Sequence, residues 1–482
     1  MAAICCTLRL PDFAGSTLDS YIRWHVHIGF EHLFLFVDDP THDVVSLAIG
    51  DAWPREHVTV IRRDAKLKAR QEVECTLWGD LGRFYEDEVQ ARQSLNAELA
   101  VGMARARGLR WLLHIDVDEL FYTSAPSIHA HFARLDSLGV SQMTYANHEA
   151  VPEQSDIGDY FRGATLFRRH HFEVPLALNA REAMQWWERR TNHGQYMLCY
   201  DNGKSAARVS AGLVPRNVHT WRLPVPPPIP PSSASPSASP VAAISCTALA
   251  DSRSLDLSRV LALPSGEPCI LHFVVCGLDW FCAKYRFLGN IPSSWFGGAL
   301  PIPPCFHLDS RDAYLAAAAG AEADDASDVA GAKAAAGARE RSAGRAAVRP
   351  FFEQQVLFSP ENVPCHAALR RAHVDAGVLR EITLVQKTLT RLRAEARLPG
   401  ASLPLPAEAE GGEGVGGGAA EGAAEGAADA AAATAAGGAA VTMEAAAAPT
   451  PSAFTYDRAW ILAQASRSFL SDQMFGGGGK PQ

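Results

Sequence analysis

The chain has 482 residues, of which 48% are hydrophobic, and its formal net charge is −9. Length and composition allow a sizeable core and more than one domain, whereas the acidic balance argues against nucleic-acid binding. Ten cysteines include no CxxC pair, and no run of about 18 apolar residues occurs, so zinc fingers, thioredoxin-type redox pairs and membrane spans are not indicated.

The apolar pattern of residues 1–222 predicts helices that alternate with buried strands in one compact unit. Apolar residues at helical spacing between residues 18 and 28 indicate a helix with Ser16 as its N-cap. Residues 95–106 present one apolar helix face, and Gly108 follows as a C-cap. Strands are predicted at residues 33–37, 57–62, 111–115 and 142–145. We therefore expect an α/β fold, with a Rossmann-like mixed or parallel sheet flanked by helices.

Composition divides the remainder of the chain into further segments. Low-complexity stretches cannot bury enough apolar surface to offset the entropy lost on ordering. The predicted segments are a Pro/Ser-rich insert at 223–255, a continuation of the first unit at 256–315, an Ala-rich linker at 316–348, a helical segment at 349–398, a disordered Ala/Gly-rich stretch at 399–452, and a short helix and tail at 453–482.

Two carboxylates, Asp116 and Asp118, directly follow the predicted strand at 111–115. At strand spacing these side chains project to the same side, and oxygen ligands of this kind suit Mg²⁺ or Mn²⁺. Ligands of open α/β sheets bind beyond the carboxyl ends of strands. The motif therefore predicts a divalent cation that acts as a Lewis acid on a departing diphosphate. The alternative is a solvated strand end whose carboxylates cap a turn.

Several segments around this motif resemble glycosyltransferase family 92 and its family-2-like relatives. The resemblance extends over roughly residues 4–290 and is carried by residues 19–36, 92–96, 111–121, 202–206, 218–219 and 270–284. It implies a GT-A fold and transfer of a sugar, with UDP-hexose as the expected donor, to a glycan or other hydroxyl acceptor. The resemblance also implies dependence on Mn²⁺ or Mg²⁺ and inversion at the anomeric carbon.

Other polar residues are candidates for the nucleotide end of such a site. Asp38 and Asp39 end a predicted strand and could accept hydrogen bonds from the donor's base or ribose, or simply form a turn. Gln93 and Asn96 share one helix face, which faces either the pocket or solvent. Lys204 could neutralise diphosphate charge, or be an ordinary surface lysine.

Two histidines and a group of carboxylates could complete the chemistry. His219 and His272 are candidate metal ligands beside Asp116 and Asp118, although a histidine among apolar residues is more often part of the core. Glu149 and Glu153 are the candidates for the general base that deprotonates the acceptor hydroxyl. His170 and His171 are adjacent in the sequence and are expected at the surface.

Two other classes of protein compete with the transferase. A phosphohydrolase of the haloacid-dehalogenase type also has an apolar strand ending in two aspartates, but it requires Thr or Val where Leu120 stands. A non-catalytic protein that binds carbohydrate or a partner could retain the same fold. We expect a cytosolic location, or the secretory pathway if the N-terminus is incomplete.

Overall fold

The computed structural model describes residues 1–224, 260–262, 266–287, 291, 293–298, 300–325 and 333–396. Most of the predicted insert at 223–255, the stretch at 399–452 and the short helix within 453–482 lie outside these described residues. None of the helices in the described part of the chain is long and apolar enough to cross a membrane.

The described residues form sixteen strands and thirteen α-helices. The strands are β1 Ala2–Leu8, β2 His32–Val37, β3 Val58–Arg62, β4 Trp111–His114, β5 Glu119–Tyr122, β6 Gln142–Tyr145, β7 Asn147–Ala150, β8 Leu166–Arg168, β9 Lys204–Arg208, β10 Val214–Pro215, β11 Trp221–Arg222, β12 Val260–Ala262, β13 Cys269–His272, β14 Ser294–Trp295, β15 Leu300–Pro301 and β16 Leu379–Glu381. The helices are α1 Gly15–His27, α2 Val44–Ala52, α3 Ala65–Glu74, α4 Trp78–Leu81, α5 Val89–Ala106, α6 His129–Ser137, α7 Tyr160–Gly163, α8 Leu178–Glu188, α9 Leu278–Phe287, α10 Phe306–Asp325, α11 Lys333–Gln355, α12 His366–Asp375 and α13 Leu384–Ala396.

Seven strands form the main sheet, in the order β12-β6-β9-β4-β1-β2-β3. Strands β3, β2, β1 and β4 are mutually parallel, and β9 runs antiparallel between β4 and β6. Successive residues of β1 face opposite sides: Ile4 and Cys6 pack into one apolar cluster, and Ala3 and Cys5 into another. A sheet covered on both faces is typical of α/β folds, and the predicted class, a mixed sheet flanked by helices, is confirmed.

A second sheet has the strand order β16-β8-β7-β13-β5. Its strands come from widely separated parts of the sequence, and β16 lies in the segment 349–398 that the sequence predicted to be helical. Most of that segment is helical, in the end of α11 and in α12 and α13. The exception is β16, which pairs antiparallel with β8, and such pairing overrides helical spacing. The predicted linker at 316–348 also differs from the structure, since much of it lies in α10 and α11.

The helix predicted near the N-terminus is present, but it begins at a different residue from the one predicted. The predicted helix is α1, but its N-cap is Ala14 and not Ser16. A 3-10 turn over Asp12–Ala14 leads directly into α1, so Ser16 already lies in the first helical turn and cannot cap it. Gly108 adopts a φ of +70° just beyond α5, as a glycine after a helix C-cap should.

Candidate active site

The acidic residues lie where the chain crosses from one sheet to the other. Strand β4 ends at His114 in the middle of the main sheet, and β5 begins at Glu119 in the second sheet. Asp116 and Asp118 occupy the connection, at the carboxyl end of β4 as predicted. Parallel strands β1 and β2 end at the same edge, which is the edge where α/β sheets bind ligands.

Asp116 is held from two sides. Its Oδ1 accepts a hydrogen bond from Gln93 Nε2 at 2.7 Å, and its Oδ2 accepts one from Lys204 Nζ at 2.6 Å. Burial alone would raise the pKa of Asp116, but the Lys204 charge and its hydrogen bond hold that pKa well below its usual range. The Asp116 side chain is 28% exposed, and its contact with Lys204 favours the ionised form.

Lys204 is completely buried. The alternative that it is an ordinary surface lysine is therefore wrong. Lys204 opens β9, and its Nζ lies 3.5 Å from both Glu119 Oε2 and the Val218 carbonyl oxygen. Gly203 before it has a φ of +67°, and a Cβ there would lie 2.2 Å from the Tyr145 carbonyl oxygen. Only glycine fits this turn, which directs Lys204 inward. Burial opposes its charge, yet the neighbouring carboxylates raise the pKa of Lys204.

Asp118 has a different lysine partner. Its Oδ2 accepts a hydrogen bond from Lys284 Nζ at 2.9 Å and lies 3.8 Å from His272 Nε2. Lys284 comes from α9 and also donates to the Val274 carbonyl oxygen at 2.9 Å. The side chains of Asp118 and Lys284 are 19% and 21% exposed, so this pair is partly accessible to solvent.

The ring of Tyr200 links the basic side chains of the site. Its centroid lies 4.6 Å from that of His219, 4.9 Å from that of His272 and 5.4 Å from Lys204 Nζ. His219 Nδ1 lies 2.8 Å from the Gly203 carbonyl oxygen. A carbonyl only accepts, so Nδ1 carries the proton and Nε2 the lone pair. Burial, with the Lys204 charge, lowers the pKa of His219 to about 3, and burial also keeps His272 neutral by lowering its pKa.

Glu119 is a buried acid that directly follows residues 115–118, the connection between β4 and β5 that we call the acidic loop. Its Oε2 accepts a hydrogen bond from the backbone N–H of Asp116 at 2.7 Å, and its Oε1 has no partner among the described residues. Burial raises the pKa of Glu119 to about 8, although the Lys204 charge opposes this shift. The loop conformation thus depends on a carboxyl group that is partly protonated near neutral pH.

Three of the predicted nucleotide-binding residues have other partners. Asp38 receives two hydrogen bonds from Arg92, at 2.6 and 2.8 Å, and is 7% exposed. Asp39 pairs with Arg9 and His42 near the surface. Asn96 is buried and bonded to Thr7 and Gln71. Gln93 is the member of this group whose side chain reaches the acidic loop.

The two candidate bases also have structural partners. Glu149 is fully buried, and its oxygens accept hydrogen bonds from Arg168 and from the backbone N–H groups of Leu198 and Cys199. Glu153 pairs with Arg370 of α12 at 2.9 Å. These contacts fix both carboxylates in the framework. His170, expected at the surface, is in fact buried, with Nε2 2.8 Å from the Asp201 carbonyl oxygen.

The four predicted metal ligands do not form one compact cluster. Among the residues that the structure describes, no group of three or more His, Cys, Asp or Glu side chains is arranged to hold a metal ion. Asp118 and His272 come together, whereas Asp116 is engaged by Gln93 and Lys204. Sequence reasoning missed Lys284 and Tyr200 as members of the site. Lys284 is 166 residues from Asp118, so no local spacing could join them.

Comparison with known proteins gives an independent line of information. No family model matches the sequence. Two Arabidopsis thaliana proteins, both named glycosyltransferase-like, are 30% and 28% identical to this chain over 229 residues, or 45% of its length. The chain matches only 49% and 43% of those relatives, so the alignment spans about half of their length.

Among solved structures, core-mannan synthase A of Aspergillus fumigatus, in a form with Mn and GDP, aligns with 43% of this chain and 59% of its own. The identity is 10% and the TM-score 0.22, a likeness too small to support any conclusion. The curated relatives confirm the resemblance at the level of glycosyltransferases, while the placement in family 92 stays a prediction. Over the 229 aligned residues, this chain is a relative of glycosyltransferase-like proteins.

Proposed function

We propose that this chain is a glycosyltransferase that transfers a sugar from a nucleotide sugar, with UDP-hexose as donor, to a hydroxyl acceptor. The observation that carries the proposal is the acidic loop at the carboxyl end of β4, where Asp116 and Asp118 meet Lys204 and Lys284. Such a combination can take both the cation and the anionic diphosphate of a nucleotide sugar. The glycosyltransferase-like relatives support the same conclusion.

A divalent cation fits this site if the substrate completes its coordination. Mg²⁺ and Mn²⁺ sites of this type use one or two carboxylates, with water and substrate phosphates as the other ligands. The Nε2 atom of His272 lies 3.8 Å from Asp118 Oδ2, a separation that one ion could bridge. When bound, the cation supplies Lewis acidity toward the departing diphosphate.

Residues of the chain itself hold the side chains of the site in position. Lys204 keeps Asp116 ionised and fixed, Gln93 orients its other oxygen, and Tyr200 holds both histidine rings against the site. Because these contacts exist before any ligand arrives, Lys204, Gln93 and Tyr200 do not have to move when charge develops on the leaving diphosphate.

The test is Mn²⁺-dependent binding and turnover of UDP-sugars by the full chain. We expect release of UDP from at least one UDP-sugar, and Asp118→Asn should weaken UDP binding in Mn²⁺ by about tenfold or more. Asp375→Asn, an exposed aspartate at the end of α12, is the matched control and should bind as wild type. Unchanged UDP affinity in the Asp118 variant, or full affinity in a chelator, contradicts the proposal.

Two further assays address the finer points. Release of inorganic phosphate from phosphoesters, without turnover of nucleotide sugars, would identify a phosphohydrolase instead. Inversion is proposed from the resemblance to family 92, and the anomeric configuration of the product, read by NMR, tests it. A β-linked product from an α-linked UDP-sugar is expected.

A further inference from the structure

The acidic loop has no net charge to offer a cation, because two ammonium groups balance its two aspartates. Asp116 pairs with Lys204 at 2.6 Å, and Asp118 pairs with Lys284 at 2.9 Å. A divalent cation that enters this site alone gains the attraction of the carboxylates but also meets the repulsion of both lysines. The structure is therefore a poor receptor for a free cation.

The two lysines differ in their freedom to move. Lys204 is fully buried and has Asp116, Glu119, the Val218 carbonyl and the Tyr200 ring around it. Its displacement would leave a buried charge without a partner, which is strongly unfavourable. Lys204 is thus a permanent part of the framework.

Lys284, in contrast, is partly exposed and has fewer partners. Its side chain is 21% exposed, and its described hydrogen bonds go to Asp118 Oδ2 and the Val274 carbonyl oxygen. It lies in the last turn of α9, on a flexible four-carbon stem that can turn toward a nearby anion. His272 Nε2 lies 3.8 Å from the same Asp118 oxygen, so a carboxylate and an imidazole stand together behind this lysine.

We infer that Lys284 is a displaceable counter-ion of Asp118, which excludes a divalent cation until a nucleoside diphosphate arrives and draws the ammonium group away. This inference rests on the proposed function, since it assumes that the site binds a nucleotide. The diphosphate supplies several negative charges, so Lys284 exchanges one carboxylate for a more highly charged partner, and Asp118 becomes free for the cation. The cation and the diphosphate therefore bind with strong positive coupling, and by linkage each raises the affinity of the other equally.

The experiment measures Mn²⁺ binding to the full chain directly, from the electron paramagnetic resonance signal of free Mn²⁺, with and without saturating UDP. For wild type we expect Mn²⁺ to bind at least tenfold more tightly with UDP, since a repulsion between unit charges near a protein surface is worth more than that factor. Equal Mn²⁺ affinity with and without UDP overturns the inference.

Two variants separate the charge of Lys284 from its shape. Lys284→Met should bind Mn²⁺ alone about tenfold more tightly than wild type, and UDP in the presence of Mn²⁺ about tenfold more weakly. Lys284→Arg retains the charge and should leave the affinity for Mn²⁺ alone low. A gain of Mn²⁺ affinity in the arginine variant, or no gain in the methionine variant, overturns the inference.

Lys387→Met, which removes an exposed lysine of α13, controls for a general change in net charge and should behave as wild type. If it gains Mn²⁺ affinity as Lys284→Met does, the effect is not specific to Asp118, and the inference is overturned. Calorimetry with UDP distinguishes the two levels of the hypothesis. Absence of UDP binding, or UDP binding that is independent of Mn²⁺, refutes the proposed function. Mn²⁺-dependent UDP binding, together with an affinity of Lys284→Met for Mn²⁺ alone that equals the wild-type affinity, refutes the displacement of Lys284 alone. Equal Mn²⁺ affinity with and without UDP in wild type overturns the inference even if a variant does not fold, and the Lys284 variants distinguish displacement of the lysine from direct coordination of the cation by the diphosphate.

Discussion

Replacing Lys204 by methionine tests whether the site depends on a permanently buried charge. Methionine retains the length and apolar volume of the side chain, but it leaves Asp116 and Glu119 without the ammonium group that lies 2.6 and 3.5 Å from them. Removing one partner of a buried ion pair typically costs 3–5 kcal/mol, because the remaining charge stays buried and unpaired. Because the Asp116 side chain is 28% exposed and keeps its hydrogen bond from Gln93, solvent screens part of the remaining charge, and we expect Lys204→Met to lose about 2–3 kcal/mol of unfolding free energy at pH 7.5.

The pH dependence of this loss has a definite sign. In wild type the pKa of Asp116 is depressed in the folded state, so the stability that it contributes is present above its unfolded pKa and is lost as the pH falls through the folded value. In the variant, burial without Lys204 raises that pKa, and protonation of Asp116 at low pH relieves the unpaired charge. The difference between variant and wild type should therefore shrink as the pH is lowered toward 4.

Urea denaturation followed by tryptophan fluorescence, at pH 7.5 and at pH 4.5, measures both quantities. The double variant Lys204→Met/Asp116→Asn removes both charges and should recover part of the loss, as coupled neighbours do in a double-mutant cycle. Lys387→Met serves as the exposed control, expected within about 0.5 kcal/mol of wild type. A loss below about 1 kcal/mol for Lys204→Met, or strictly additive effects in the double variant, would refute the reasoning.

Three further predictions concern neighbouring residues. Burial raises the pKa of Glu119 to about 8, so its contribution to stability should be lost as the pH rises toward that value, and Glu119→Gln should flatten the decline between pH 5 and pH 8.5 in urea titrations. Asp38→Asn breaks a buried ion pair with Arg92 and should lower stability, with calorimetry showing little selective loss of UDP affinity. Tyr200→Phe keeps the ring that contacts His272 and should retain UDP affinity, whereas Tyr200→Leu should weaken it, also by calorimetry.

Four of the seven strands of the main sheet, β2, β3, β4 and β6, were predicted from local sequence signals. Strands β2 and β4 are short, almost wholly apolar runs that end in acidic residues, and burial on both faces requires that composition. The helix N-cap and the division into segments were less accurate. Both depend on what precedes or pairs with a segment, and the sequence of the segment does not contain that information.

The second sheet was not predicted as a unit, and the length and origin of its strands explain why. Glu119 of β5, His272 of β13, Glu149 of β7 and Arg168 of β8 are directly paired across four neighbouring strands. Paired residues project from the same face, so one row of this sheet consists of ionisable side chains. These strands are only three or four residues long and come from distant segments, so local periodicity does not reveal how they pair.

The pairing of strands in the second sheet explains why some residues of the site could be found from the sequence and others could not. Asp116 and Asp118 were found because both lie in one local motif next to an apolar strand. Lys284 became a partner of Asp118 only when β13 placed His272 beside β5 and α9 followed it. Each carboxylate of the motif therefore has a lysine from a distant segment, and the charge balance of the site is a property of the fold. Whether a cation binds at Asp118 is decided by that balance, and so the two aspartates alone do not establish a metal site.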